Sequence, residues 1–331
     1  MRFQVKFLAY FLAGACGFPG ILGAQVHSLV FVSNEVGRSI SVIDATSNSV
    51  VATIPLGQRA RGIRASPSGK RIYVALSDDV PMVESAGDRV AVIDVAQRRV
   101  IARFKAGSDP EQFAVSPNGA FLYTSNEDAG TASETDLRSG KVTATMIVGI
   151  EPEGVGVSPN GRWVYVTAET SNSVSVVDTR TRKVVANMLV DIRPRAVAFA
   201  PDGRRAYVTA EIGGTLSVID AVTHQLLRTI ELEQGQGKPV GVVVSPDNRT
   251  VYVANGRANR VSVVDAVAAK VIASIPVGRR PWGIALSKDG RTLYTANGLS
   301  DDVSVINVAS RRVIATVAVG KRPWGVVVVG P

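Results

Sequence analysis

Seven times along the chain an aromatic residue opens a short run rich in β-branched residues: FVSN at Phe31, YVAL at Tyr73, YTSN at Tyr123, YVTA at Tyr165 and Tyr207, YVAN at Tyr252 and YTAN at Tyr294. The spacings are 42, 50, 42, 42, 45 and 42 residues. One such unit cannot bury its own apolar faces, so it must stack on its neighbours, and a period in this range without helical periodicity specifies propeller blades. The 331 residues, enough for two ordinary domains, are therefore read as one ring.

Each unit carries four short apolar runs separated by turn residues, as in PWGIALS, TLYTAN, VSVIN and VIATVAVG. Runs that are apolar on both faces fit sheets sandwiched between neighbouring sheets, which accounts for the positive mean hydropathy. The predicted fold is all-β: a seven-bladed β-propeller with four antiparallel strands per blade. SPSG, SPNG, SPNG, APDG, SPDN and SKDG, ending at Gly69, Gly119, Gly161, Gly203, Asn248 and Gly290, are hairpin turns whose last residue takes a left-handed backbone. Asp44, Asp94, Asp136, Asp178, Asp220, Asp265 and Asn307 end the third strands, placed to accept hydrogen bonds from the following turn. There are seven aromatic-led strands but six such turns, because the first unit lacks an inner strand. RPWGVVVV (Arg322 to Val329) supplies it, so the C-terminal strand is expected to pair with the N-terminal blade and remove the open edge of the ring.

Extra residues fall between Ser77 and Val90 and around EQGQGK (Glu233 to Lys238). Insertions in repeat proteins map to loops, where they serve recognition or are tolerated surface variation.

The first stretch, residues 1–24, reads as an export signal: Arg2 and Lys6 precede an apolar run, Phe7 to Ala24, interrupted by Gly17, Pro19 and Gly20 and closed by a small residue before Gln25. Residues 25–331 then form the propeller, and the expected location is periplasmic. Cys16, the only cysteine, lies in the leader behind Ala13, Gly14 and Ala15 without the leucine that a lipidation site usually carries, which argues against a lipid anchor. Cleavage leaves no thiol for a disulfide, a covalent haem, a thiolate metal site or a cysteine nucleophile. Lys and Arg total 37 against 28 Asp and Glu, and loss of Arg2 and Lys6 lowers the net charge from +9 to +7. Such a surface attracts anions or acidic partners, but no basic run reaches the length of a nucleic-acid patch.

The order of variant blades carries a resemblance. GSDPEQFAVSPNG (Gly107 to Gly119), GIEPEGVGVSPNG (Gly149 to Gly161), VDIRPRAVAFAPDG (Val190 to Gly203), AEIGGTLSVID (Ala210 to Asp220), ANRVSVVD (Ala258 to Asp265), NGLSDDVSVI (Asn297 to Ile306) and RPWGVVV (Arg322 to Val328) span nearly all of the chain after the leader. The units resemble the YVTN β-propeller repeat, and their order resembles the pyrroloquinoline-quinone-dependent catabolism-associated β-propeller proteins. That resemblance implies an exported protein working beside quinone-dependent alcohol oxidation, with a periplasmic dehydrogenase, a cytochrome or a transporter component as partner. It implies no molecular activity.

In a propeller the loops entering the inner strands gather round one mouth of the channel. Here they supply Arg59 and Arg61, then Asp109, Glu111 and Gln112, then Glu151 and Glu153, then Arg193 and Arg195, then Lys238, Arg280, Trp282, Arg322 and Trp324. Carboxylates from two adjacent blades face cations from the other five, a dipolar cup. Strand ends add Asn34, Glu35, Asn126, Glu127, Glu169, Glu211, Asn255 and Asn297, read either as oxygen ligands for a hard cation or as turn-closing residues. The two tryptophans either stack on a flat ring, while Arg193, Arg195, Arg280 and Arg322 pair with carboxylates such as those of a tricarboxylate quinone, or fill space between blades. No catalytic or metal-binding residues are assigned: His27 adjoins the leader and His224 falls in an outer hairpin, so neither serves a nucleophile or a haem at the mouth.

The function expected is an exported, non-catalytic binding or accessory propeller presenting a charged mouth to a small anionic ligand or a protein partner. The alternatives are a metal-dependent propeller lactonase and a purely structural interaction platform.

Overall fold

A computed structural model of the chain describes residues 28–77 and 87–330, together with Met1. Residues 2–27, which hold the rest of the expected leader with Cys16 and also His27, and most of the insertion after Ser77 lie outside the described residues. The chain forms seven four-stranded antiparallel sheets arranged as the predicted propeller. In blades two to seven the strands follow chain order outward from the channel, and the inner strands are Arg59–Ala65, Pro110–Val115, Pro152–Val157, Pro194–Phe199, Pro239–Val244 and Pro281–Leu286. Blade one is built from both ends: Pro323–Val329 pairs antiparallel with Leu29–Asn34, with Phe31 opposite Val327. Each inner strand touches the next around a closed circle.

Packing between blades, not within them, builds the cores. Phe31, Ile40 and Leu56 of blade one cluster with Ile63, Ile72 and Ile93 of blade two, and Tyr207 and Leu216 of blade five cluster with Val251 and Val253 of blade six. The aromatic residue that opens each second strand is buried in all seven blades. Burying such a side chain contributes about 1.5–3 kcal/mol, which only a neighbouring blade can supply. The outermost strands alternate, with one edge facing water, as in Lys183–Leu189.

Local chemistry fixes the turns as expected. Gly69, Gly119, Gly161, Gly203, Asn248 and Gly290 all sit at positive φ. Asp44 accepts from the backbone N–H of Thr46 and Ser47 at 2.8 and 3.0 Å, Asp265 accepts from Val267 and Ala268 at 2.8 Å, and Asn307 does the same for Ser310. Around Glu233–Gly235 the extra residues form a single 3-10 turn, whose Glu233 carboxylate accepts from Ser262 and Ser274 and so braces blade six.

Two devices join the blades at their inner edges. Hydroxyls on the second strands donate to carbonyls of the next inner strand: Ser33 to Arg61 and Ser125 to Glu153 at 2.6 Å, Thr167 to Arg195 at 3.2 Å, and Thr209 to Val240 at 2.6 Å. Glycines let adjacent inner strands approach, since a Cβ on Gly241 or Gly283 would lie 2.5 or 2.6 Å from the carbonyl oxygen of Trp282 or Trp324.

Deleting the segment after Gly320 removes the strand facing Phe31 and reopens the circle. The loss of blade one's packing should exceed a large part of a typical stability margin of about 5–15 kcal/mol. The truncated chain is expected to lose its cooperative thermal transition by circular dichroism, and a native-like melting temperature would contradict closure by this strand.

Candidate functional site

Six blades enter their inner strand through a charged residue held in the left-handed region immediately before a proline: Asp109 (φ 36°), Glu151 (54°), Arg193 (61°), Lys238 (49°), Arg280 (54°) and Arg322 (54°). The carbonyl of each accepts the N–H of the residue that follows the aromatic-led strand. These donors are Glu127 at 3.5 Å, Glu169 at 2.9 Å, Glu211 at 2.8 Å, Gly256 and Gly298 at 2.9 Å, and Glu35 at 2.9 Å to Arg322. The staple brings both loops to one mouth. A left-handed backbone costs an L-residue about 1–2 kcal/mol, and glycine takes it freely. At all six positions the chain keeps charge instead.

What each staple presents depends on the residue after the strand. Blades one, three, four and five carry Glu35, Glu127, Glu169 and Glu211 there, whereas blades six and seven carry Gly256 and Gly298. On the acidic side every arginine is consequently paired. Arg59 meets Glu35 at 2.9 Å, and Arg61 sits against Glu111 with Glu35, Asp109 and Glu127 at 3.7–3.8 Å. Arg195 is shared by Glu153 at 3.2 Å, Glu169 in direct contact and Glu211 at 2.7 Å, while Arg193 binds Glu169 at 2.7 Å.

Across the mouth the guanidinium groups of Arg280 and Arg322 make no ion-pair contact with a carboxylate among the described residues, although Asp301 accepts the Arg322 backbone N–H at 2.8 Å and is held below the usual carboxylate range chiefly by Lys321, with Arg322 adding to it. Between them lie Trp282 and Trp324, with ring centroids 6.0 Å apart and planes inclined at 45°. Arg280 and Arg195 stand 4.9 and 5.4 Å from the Trp282 ring centre. The Trp282 Nε1 donor is buried and finds no protein acceptor. Together these groups wall a cavity of about 310 Å³.

Of the predicted mouth residues, Arg61, Glu111, Glu153, Arg193, Arg195, Arg280, Trp282, Arg322 and Trp324 line this cavity. Lys238 opens onto an adjoining cavity over blades five to seven. Arg59, Asp109 and Glu151 face a separate hollow between blades two and four, where the Thr170 hydroxyl donates to Glu151. Both tryptophans face the cavity, although Trp324 is 9% exposed and so also packs into the inner wall. Cations stand on five blades, but those of blades two and five are neutralised by glutamates, and the cations without an ion-pair contact among the described residues belong to blades six, seven and one. Sequence reasoning missed Arg257 and Arg279, which line the adjoining cavity. The signal for them was the replacement of the recurrent glutamate by Gly256 and Gly298.

The strand-end asparagines close turns. Asn34 Nδ2 donates to Ser39 and Ser41 at 3.1 and 3.0 Å, and Asn126, Asn255 and Asn297 repeat the pattern. Asp109, Glu111 and Glu127 lie close enough together to share a cation, but the Arg61 guanidinium already occupies their midst, so these residues do not fit a resident metal. Among the described residues no histidine stands at the mouth. His224, the only histidine among the described residues, is bonded to the Tyr165 hydroxyl at 2.6 Å and stacked edge-on to Trp163 in an outer hairpin.

The family described as Lactonase, 7-bladed beta-propeller, matches residues 191–315, and the Cytochrome D1 heme domain matches residues 75–198, each less than half of the chain. No curated protein matches the sequence. Among solved structures, Kuenenia stuttgartiensis hydrazine synthase aligns with a TM-score of 0.75 at 22% identity over 84% of this chain and 92% of that one. A functionally unknown protein from Desulfotomaculum acetoxidans aligns with a TM-score of 0.76 at 19% identity, over 92% of this chain and 99% of that one. A candidate 6-phosphogluconolactonase from Bacteroides uniformis gives 0.75 at 16%, with the same coverage of 92% and 99%. At these identities the likeness establishes the propeller fold alone.

Burial pushes the Glu153 carboxyl up to about 7, against the pull of Arg195 and with the help of Glu169 and Glu127, themselves raised chiefly by burial. An acid that holds its proton more tightly when folded contributes stability below its unfolded value of 4.5 and loses it as pH rises towards 7. The loss is on the order of 3 kcal/mol at most, spread over the coupled carboxylates. Glu153→Gln should therefore raise the melting temperature at about pH 8 and flatten the decline between about pH 5 and 7. An unchanged pH profile in thermal unfolding would show that Glu153 is not the protonated group.

Proposed function

We propose that this propeller is an exported, non-catalytic binding or accessory module that holds a flat anion at its channel mouth. The setting proposed is pyrroloquinoline-quinone-dependent alcohol catabolism in the periplasm. Ligand would pass to or from a dehydrogenase, a cytochrome or a transporter component. The observation that carries the reading is the pair of guanidinium groups, Arg280 and Arg322, which make no ion-pair contact with a carboxylate among the described residues, beside two cavity-facing indoles. Cations over or beside aromatic faces suit a planar anion, and a fork of guanidinium donors suits carboxylates. The unsatisfied Trp282 Nε1 offers a further donor to an acceptor on the ring. With the other arginines of this cavity, Arg61, Arg193 and Arg195, already paired, the anion gains most from these two.

A second reading, a lactonase, is favoured by the family match across residues 191–315, which includes Arg193, Lys238 and Arg280. Calcium content and hydrolysis of simple lactones separate the two, and metal-dependent turnover would displace the binding reading.

Titration of the full chain with pyrroloquinoline quinone should give saturable quenching of tryptophan fluorescence. Arg280→Gly and Arg322→Gly relieve left-handed backbone strain, so each should melt within a few degrees of the native protein. Each should nevertheless bind roughly tenfold or more weakly, because a charge-assisted hydrogen bond contributes about 1.5–3 kcal/mol. Absence of saturable quenching, or unchanged affinity in both variants, would overturn the quinone reading.

A further inference from the structure

The cavity at the mouth does not end at Trp282. Arg193, Arg195, Arg280 and Trp282 also wall a second cavity of about 590 Å³, which runs outward over blade six. Beyond the shared wall it is lined by Lys238, Arg257 and Arg279, and its only acid, Glu211, is already bound to Arg195 at 2.7 Å and Arg193 at 3.5 Å. Lys238, Arg257 and Arg279 have no carboxylate partner among the described residues.

The three cations stand on backbone that is pinned in place. The Lys238 carbonyl accepts from Gly256 at 2.9 Å, the Arg257 N–H donates to Gly237 at 3.1 Å, and the Arg279 N–H donates to the Ser300 hydroxyl at 2.9 Å. The neighbouring Arg280 N–H donates to Asn259 Oδ1 at 2.8 Å, tying the loops of blades six and seven together. Like charges gathered on fixed loops repel one another, and each raises the gain from a bound anion. The missing glutamates at Gly256 and Gly298 leave this repulsion uncompensated.

We infer that Lys238, Arg257 and Arg279 form a second anion subsite continuous with the mouth, so that the ligand is an elongated polyanion: a flat anionic ring joined to an arm ending in a phosphate or carboxylate group. This rests on the mouth reading for the ring and on the second cavity alone for the arm.

Two probes separate the parts: orotate, a flat carboxylate ring, and orotidine monophosphate, the same ring with a phosphate-bearing arm. Calorimetric titration of the full chain at fixed low ionic strength should show the nucleotide binding at least about tenfold more tightly than orotate, one charge-assisted contact's worth. In a Lys238→Gly, Arg257→Ala, Arg279→Ala variant that melts like the native protein, that advantage should vanish while orotate affinity stays. In Arg280→Gly both affinities should fall. Nucleotide binding that is absent, no tighter than orotate, or indifferent to the triple substitution would overturn the subsite. Nucleotide binding that depends on the triple but not on Arg280 or Arg322 would keep the subsite and remove the mouth reading. Replacing the phosphate arm by a carboxylate arm then distinguishes the two kinds of terminal group.

Discussion

The contact between adjacent inner strands is what everything else in this molecule stands on. At the inner edge of the ring five of the seven strands approach a neighbour more closely than a Cβ allows, and the chain meets that demand with glycines, aided by short hydroxyls. Gly154, Gly241 and Gly283 each receive the carbonyl of the next blade where a Cβ would collide, and Ser33, Ser125, Thr167 and Thr209 donate across the same gap. Each of these bonds contributes only about 0.5–1.5 kcal/mol net, yet an unpaired carbonyl in that position would cost more. The ring is stable because every blade finds both neighbours, which is why the strand Pro323–Val329 must return to Leu29–Asn34.

That geometry also decides the electrostatics. Once the inner strands are fixed, the residue before each proline and the residue after each aromatic-led strand meet at the mouth through one backbone hydrogen bond. A single repeat position then sets the local charge: glutamate there supplies a counter-ion to its own blade or the next, and glycine supplies none. Glu169 and Glu211 neutralise Arg193 and Arg195, whereas Gly256 and Gly298 leave Lys238 and Arg280 without a carboxylate partner among the described residues. The acidic half has the opposite excess, and there burial, with help from neighbouring carboxylates, raises Glu127 and Glu169 above the usual carboxylate range and Glu153 to about 7.

The fold was legible because its signals are local and repeated. Tyr165 and Tyr207 in YVTA, the left-handed Gly161 and the turn-bonding Asp178 each follow from short-range rules that recur in every blade. Closure was legible from a strand count. The mouth was legible only in part, because a residue's position in a loop says where its backbone goes and not which side chain across a gap it meets. Glu35 and Glu211 read as turn residues or oxygen ligands, and their role as counter-ions depends on Arg59 and Arg195 arriving from other strands. Arg257 and Arg279 went unnoticed because they flank the repeated positions, and only the curvature of blade six turns them to one cavity. Trp282 and Trp324 shared two readings in sequence that the structure partly reconciles, since Trp324 both packs the wall and faces the cavity.

The strained residues at the mouth bear on what such a rigid ring gains by keeping them. Six left-handed non-glycine residues cost the fold several kcal/mol in sum on the scale of about 1–2 kcal/mol each, and no packing in the core requires their side chains. Where the charge is neutralised inside the mouth, as at Arg193, part of that cost returns as an ion pair. At Arg280 the fold recovers only a contact with the face of Trp282, and at Arg322 only the more distant attraction of Asp301, in place of an ion pair. For the anion proposed at the mouth, these two cations are the groups whose charge the fold leaves most available. The loops that carry them are already pinned by hydrogen bonds, so little ordering entropy would oppose the binding proposed.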